Sequence, residues 1–125
     1  MMSDDIAQIE YVLQTYFDGL YEGDVSKLAY AFHETADLRS VAADGSLVVL
    51  PREKWLDWVK SRPSAEAQGL ERRDFVVTVD RSGPNTAFAK VQCQIPPRFF
   101  TDYLSLAKVG GAWQVVAKTF HTETR

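Results

Sequence analysis

Apolar residues recur at two periods along this chain of 125 residues, and the change of period divides it. Ile6, Ile9, Leu13, Tyr16 and Leu20 fall at helical spacing and predict a first helix. Ser3 or Asp4 is placed to cap its start, and Gly23 to end it. Asp24 then caps a short second helix through Leu28, Ala31 and Phe32. Ala36–Val41 and Ser46–Leu50 flank Asp44-Gly45, a hairpin signal. Pro51 opens a third helix carrying Trp55, Leu56, Trp58 and Val59, and Pro63 stops it. Beyond a small polar loop the period becomes two. Phe75, Val77 and Val79 alternate with polar or smaller neighbours. Ser82-Gly83-Pro84-Asn85 turns the chain, and Ala87, Ala89, Val91, Cys93 and Ile95 line one face of the next strand. Pro96-Pro97 breaks that strand before the last hairpin. The order α-α-β-β-α-β-β-β-β, helices early and long strands late, is an α+β pattern. It predicts a single domain over residues 1–125, with a curved antiparallel or mixed sheet wrapped around three helices as a cone.

The richest stretch is Phe99–His121, two strands joined by Gly110-Gly111. Two glycines between apolar runs suit a tight turn, which needs positive φ at its loop positions. A regular register from that turn pairs Val109 with Ala112, Leu106 with Val115 and Leu104 with Ala117. Alternation then puts Phe100, Asp102, Leu104 and Leu106 on one face with Trp113, Val115, Ala117, Thr119 and His121. This face carries more aliphatic bulk and is taken as the inner one. Asp102 faces Thr119 and lies diagonal to His121. A slip of one residue would exchange the faces.

Composition narrows the function classes. The net charge of −3 and the scattered basic residues argue against a nucleic-acid or anionic-membrane surface. Cys93 is the lone cysteine, so no internal disulfide forms, and it reads as a small buried hydrophobe. The acidic start MMSDDIAQIE has no apolar run, so no signal peptide is expected, no segment is long enough to span a bilayer, and a cytoplasmic protein is expected. The two histidines and nearby acids make no recognised metal spacing. Neither a metal nor a cofactor is expected.

Asp102 is the leading candidate site residue. A carboxylate beside Phe100, Leu104 and Trp113 is desolvated, and a carboxylate in an apolar cleft can act as a general base. Its structural alternative is a partner for His121, Lys118 or backbone donors. His121 can orient Asp102 or act as acid or base itself, against a frayed position near the C-terminus. His33 follows a helix end, where the dipole favours a cation, so capping outweighs a pocket role. Tyr16 and Trp55 sit on apolar helix faces and can line the pocket mouth, although aromatic residues at this spacing are more often plain core. Arg39 and Arg98 read as solvated surface rather than as an anion site. Tyr103, Val116, Lys118 and Phe120 share the opposite face of the hairpin and read as a contact surface between two copies of the chain.

The segments YFDGLYEGD (Tyr16–Asp24), AFHETADL (Ala31–Leu38), LPREKWLDWV (Leu50–Val59) and FTDYLSLAKVGGAWQVVAKTFH (Phe100–His121) resemble the nuclear-transport-factor-2-like superfamily, which includes ketosteroid isomerases and SnoaL-like cyclases. The nearest branch is the putative lumazine-binding proteins. The resemblance implies a cystatin-like, cone-shaped α+β fold, a homodimer packed through the outer sheet face, and a pocket between sheet and helices. Tyr16 is then placed like the oxyanion donor of ketosteroid isomerases, but no second acid matches. The expected function is binding of a small molecule in an apolar pocket lined by Asp102, Tyr16, His33, Trp55, Phe100, Leu104, Trp113 and His121. The alternatives are a cofactor-independent isomerase, cyclase or dehydratase with Asp102 as base and Tyr16 or His121 as partner, and a dimeric scaffold whose pocket is filled. Such folds host enzymes, binders and scaffolds alike.

Overall fold

The computed structural model describes residues 3–125, with the side chains described from Asp4 onward. Its elements are α1 (Ser3–Glu22), α2 (Val25–Ala31), β1 (Phe32–Val41), β2 (Leu47–Pro51), α3 (Arg52–Lys60), β3 (Phe75–Ser82), β4 (Thr86–Ile95), β5 (Arg98–Val109) and β6 (Ala112–Thr124). This is the expected order. The strands form one mixed sheet, β2-β1-β6-β5-β4-β3, which is antiparallel except where β1 runs parallel to β6. The sheet is open, and the three helices cover its inner face.

Local chemistry explains most boundaries. The cap expected at Ser3 falls on a side chain outside the described set, and Asp4 and Asp5 lie in the first helical turn, where acidic groups suit the helix dipole. Gly23 ends α1 with φ 68°, a left-handed conformation that a side chain would strain. The Asp24 carboxylate accepts the backbone N–H groups of Ser26 (3.0 Å) and Lys27 (3.2 Å), which starts α2. Gly110 and Gly111 have φ of 57° and 84°, as the hairpin turn requires. Pro51 pairs with Asp37 as the last residue of β2 and caps α3 from outside it.

Three expectations are corrected. β1 starts at Phe32, expected in the second helix, rather than at Ala36, because Phe32 pairs with Val115 of distant β6. The buried residues of α1 are Asp5, Ile9, Val12, Leu13, Tyr16, Phe17 and Gly19, while Ile6 is exposed. The third concerns β6, which carries a bulge. Leu106 pairs with Val115 as expected, but Ser105 pairs with Ala117, so Val116 is an extra residue. One extra residue exchanges the faces of everything after it. Leu104 therefore opposes Lys118 and Asp102 opposes Phe120, not Ala117 and Thr119.

The core lies between α1, α2 and α3 and the inner sheet face. Tyr16, Leu13, Leu28 and Phe32 meet Ala89, Val91, Leu104, Leu106 and Val115, and all nine are at most 2 % exposed.

Candidate functional site

Asp102 is fully buried on the inner face of β5. Three other polar side chains converge on it. The Tyr16 hydroxyl, from the middle of α1, donates to Asp102 Oδ2 at 2.6 Å, a short charge-assisted bond. Lys118 Nζ donates to the Tyr16 oxygen at 2.7 Å and stands 3.7 Å from the same Oδ2. The Cys93 thiol, on β4, approaches Oδ2 at 3.8 Å. The four residues come from α1, β4, β5 and β6, so the cluster exists only in the folded chain. Asp102 Oδ1 is buried and has no hydrogen-bond partner.

The walls are aromatic. Lys118 Nζ lies 5.1 Å from the Tyr16 ring, 5.3 Å from Trp55 and 4.9 Å from Phe120, which stabilises its positive charge by cation–π attraction. Tyr16, Phe32 and Trp55 pack on one another with centroids 4.9–6.4 Å apart. Phe100 meets Phe120 edge to face at 6.2 Å.

Burial sets the protonation of the neutral members. Loss of solvation, then the Asp102 charge, holds the Tyr16 phenol well above its ordinary range. The same two causes push the Cys93 thiol up. Both remain protonated near neutral pH. Cys93 is therefore an inert thiol rather than a nucleophile. Tyr16 is a permanent donor whose one proton is committed to Asp102, which leaves it none for a second oxygen.

The sequence-derived residues divide. Asp102, Tyr16, Trp55, Phe100 and Leu104 share this region. Trp113 does not, because its indole N–H donates to Asp5 Oδ1 (3.0 Å) at the other end of the sheet, where Lys108 also reaches Asp5 at 3.1 Å. His121 pairs with Thr101 and is exposed on the outer face, a consequence of the bulge. His33 Nδ1 is occupied locally, accepting the Thr35 N–H at 3.2 Å and meeting its hydroxyl at 2.8 Å. Lys118 and Phe120 were assigned to the contact surface. The bulge turns both inward, leaving Lys118 5 % exposed. Tyr103 stays outside, stacked with Phe88 at 6.1 Å, and Val116 is half-buried at the bulge itself. Sequence reasoning placed Lys118 on the contact surface and offered it only as one alternative structural partner of Asp102, and that alternative is the contact found, at 3.7 Å.

A narrow cleft of about 40 Å³ is lined in part by Leu20, Val59, Ile95, Arg62 and Arg98, and none of the four clustered polar residues lines it. Leu20 and Val59 lie one helical turn beyond Tyr16 and Trp55, and Ile95 lies two residues beyond Cys93, so each repeats the face of a residue at the site. A larger cavity of about 410 Å³ is lined by Phe75, Gln92, Phe99 and Thr101 and also by Cys93 and Phe100 of the site. No cluster of three or more metal-ligating side chains occurs among the described residues, and no helix there is long and apolar enough to cross a membrane.

The family model described as Putative lumazine-binding matches residues 4–121. The chain belongs to that family. Among solved structures it is similar to an NTF2-like protein of unknown function from Shewanella baltica OS155, with 27% identity, a TM-score of 0.86, and coverage of 100% of this chain and 98% of that one. A cystatin-like fold protein from Burkholderia xenovorans shares the fold at 16% identity and a TM-score of 0.73, over 98% of this chain and 94% of that one. The curated protein named Aldolase FrzH, from a Cladobotryum species, is 39% identical over 44 residues, which is 34% of this chain. That match spans about a third (35%) of its length. Together with the mixed sheet and its helical cover, these findings place the chain in the nuclear-transport-factor-2-like superfamily.

Proposed function

We propose that this protein binds a flat, mostly apolar small molecule between helices and sheet, and that Asp102 is the group the ligand hydrogen-bonds. The observation that carries this is Asp102 Oδ1. A buried carboxylate oxygen without a donor costs on the order of 1–3 kcal/mol or more, and native proteins rarely tolerate one. Its partner Oδ2 already accepts from Tyr16 and faces Lys118 and Cys93, so the vacancy is directional. A ligand N–H or O–H would satisfy it, with the rings of Trp55, Phe100 and Phe120 as walls. The family description supports a heteroaromatic ligand of this kind. The same atom could take a proton from an acidic C–H beside a bound carbonyl. The enzyme reading therefore shares this site and adds turnover.

Lumazine is a suitable probe because it is flat, fluorescent and carries imide N–H donors. Titration into the wild-type protein is expected to give a saturable fluorescence change. Asp102→Asn keeps the shape but presents an amide donor where Oδ1 accepts. Loss of one hydrogen bond to a charged group, about 1.5–3 kcal/mol, weakens binding by about tenfold to a hundredfold. No saturable change in wild type, or equal affinity in folded Asp102→Asn, would refute the reading and favour a filled scaffold.

We also infer a homodimer through the outer sheet face. Phe75, Phe88 and Tyr103 are exposed there, an aromatic patch of the kind that marks contact surfaces. Tyr103 is retained from the sequence-derived surface, and Phe75 and Phe88 take the places of Lys118 and Phe120.

A further inference from the structure

The sequence reads Arg39 and Arg98 alike, as solvated surface, and the structure separates them. Arg39 directs both arms of its fork to Asp37, at 2.9 Å each. Arg98 opens β5 opposite Ile95, on the strand face that also carries Phe100 and Asp102. That face turns toward the helices, so Arg98 is half-buried and meets the end of α3 rather than open solvent. Arg62, two residues past α3, reaches the same narrow cleft. Neither guanidinium has a carboxylate partner among the described residues.

Two like charges held together at half-buried positions repel each other and favour an anion between them. Burial, then Arg98, holds the Arg62 guanidinium below its ordinary range, and no carboxylate offsets them. Arg62 is fixed by stacking on the Trp58 ring at 3.5 Å. Ser64 supplies a third donor. Its hydroxyl accepts the Ala67 N–H at 3.0 Å, which leaves its own proton to donate, and it too lines the cleft. Leu20, Val59 and Ile95 form the apolar wall of this space of about 40 Å³. A water needs about 10–15 Å³ of such space, so the cleft has room for about three waters or one small oxyanion, and none for a ring.

We propose that Arg62, Arg98 and Ser64 form a binding site for a phosphate group, carried by inorganic phosphate or by a small phosphate monoester. A tetrahedral dianion has oxygens for both guanidinium forks, whereas one fork already occupies the two oxygens of a carboxylate. The two positive charges match the charge of the anion, and their mutual repulsion is relieved when it binds. The bound group ties the chain after α3 to the start of β5. This site goes beyond the binding reading and is independent of it. Asp102, Tyr16, Lys118 and Cys93 do not line the cleft, and the two sites take different chemistry.

The test is calorimetric titration of the wild-type protein with sodium phosphate, against sodium chloride at matched ionic strength, which removes general screening as a cause. Phosphate alone should show saturable binding. Trp58 is exposed whereas Trp55 and Trp113 are buried, so movement of Arg62 on its ring should change tryptophan fluorescence over the same range. Arg98→Gln and Arg62→Gln should each weaken phosphate at least about tenfold, and Arg39→Gln should leave it unchanged. Methyl phosphate distinguishes the sources. Equal binding of the ester assigns the site to the phosphate group of a larger molecule, and binding of inorganic phosphate alone assigns it to the free ion. Asp102→Asn should leave phosphate binding intact and Arg98→Gln should leave lumazine binding intact, so the two readings fail separately. Phosphate indistinguishable from chloride, or equal losses in Arg39→Gln and Arg98→Gln, would overturn the site.

Discussion

Lys118→Met isolates the electrostatics of the buried cluster. Methionine is of similar length and its thioether packs well on aromatic rings, so contact with Tyr16, Trp55 and Phe120 is largely kept. What disappears is the positive charge 3.7 Å from Asp102 Oδ2 and the donor to Tyr16. Asp102 is 0 % exposed and cannot recover solvation. Removing one partner of a buried pair costs about 3–5 kcal/mol. Against a typical domain stability of about 5–15 kcal/mol, that is a large share. Melting entropy of about 2.1 cal/mol/K per residue gives about 0.26 kcal/mol/K for 125 residues. The midpoint should therefore fall by about 11–19 °C. Urea unfolding followed by tryptophan fluorescence gives the free energy directly. In the double variant with Asp102→Asn the stranded charge is gone, so the double should be about 2–3 kcal/mol more stable than the sum of the singles requires. A cost below about 1 kcal/mol for Lys118→Met, or strict additivity in the double variant, would falsify the account of a coupled buried pair.

Three further outcomes can be checked separately. Hydrogen bonds from Trp113 and then Lys108 hold the Asp5 carboxyl below the usual carboxylate range. Its stabilising effect is full above the unfolded value of about 3.9 and is lost as pH falls through the lower folded value. The melting-temperature gap between wild type and Asp5→Asn should close on acidification, and a gap constant between about pH 3 and 7 would contradict this. At Gly19 an added Cβ would come within 2.9 Å of Leu28 Cδ2 and 3.1 Å of Lys27 Cβ. Gly19→Ala should thus lose the roughly 1 kcal/mol of helix propensity it gains to overpacking of about 1–3 kcal/mol. A clear rise in stability on chemical denaturation would show that Leu28 yields. Sedimentation of Phe88→Glu/Tyr103→Glu should report a monomer where wild type reports a dimer, and an unchanged coefficient would remove that surface from consideration.

The sequence carried the architecture because its determinants are local. Gly110-Gly111, Gly23-Asp24 and Asp44-Gly45 fix turns within a few residues, and alternation identifies each strand. What escaped depends on distant pairs. His33-Glu34-Thr35 has no apolar alternation, and the start of β1 is set by parallel pairing with β6. Asp5 looked like part of an acidic start, whereas its indole partner is 108 positions away. Asp102 and Tyr16 were legible, one as a charge on an apolar strand face and the other as a ring on a helix face. Their contact was not, and Lys118 entered only as one alternative partner of Asp102, because the expected register put it on the outer face. The bulge at Val116 has no glycine or proline to announce it, since both of its neighbours are ordinary strand residues.

That extra residue also shows how differently a substitution and an insertion act on a strand. Substitution alters one side chain at a time, whereas a one-residue insertion in a strand reassigns every position after it. In β6 the reassignment carries Lys118 and Phe120 indoors and sends His121 to the surface, with no change in their identities. Adding or removing one residue at this point of the hairpin would thus exchange one chemical interior for another. Without the extra residue, Ala117, Thr119 and His121 would face the core in place of Lys118 and Phe120, and Asp102 would meet a hydroxyl and an imidazole instead of an amine.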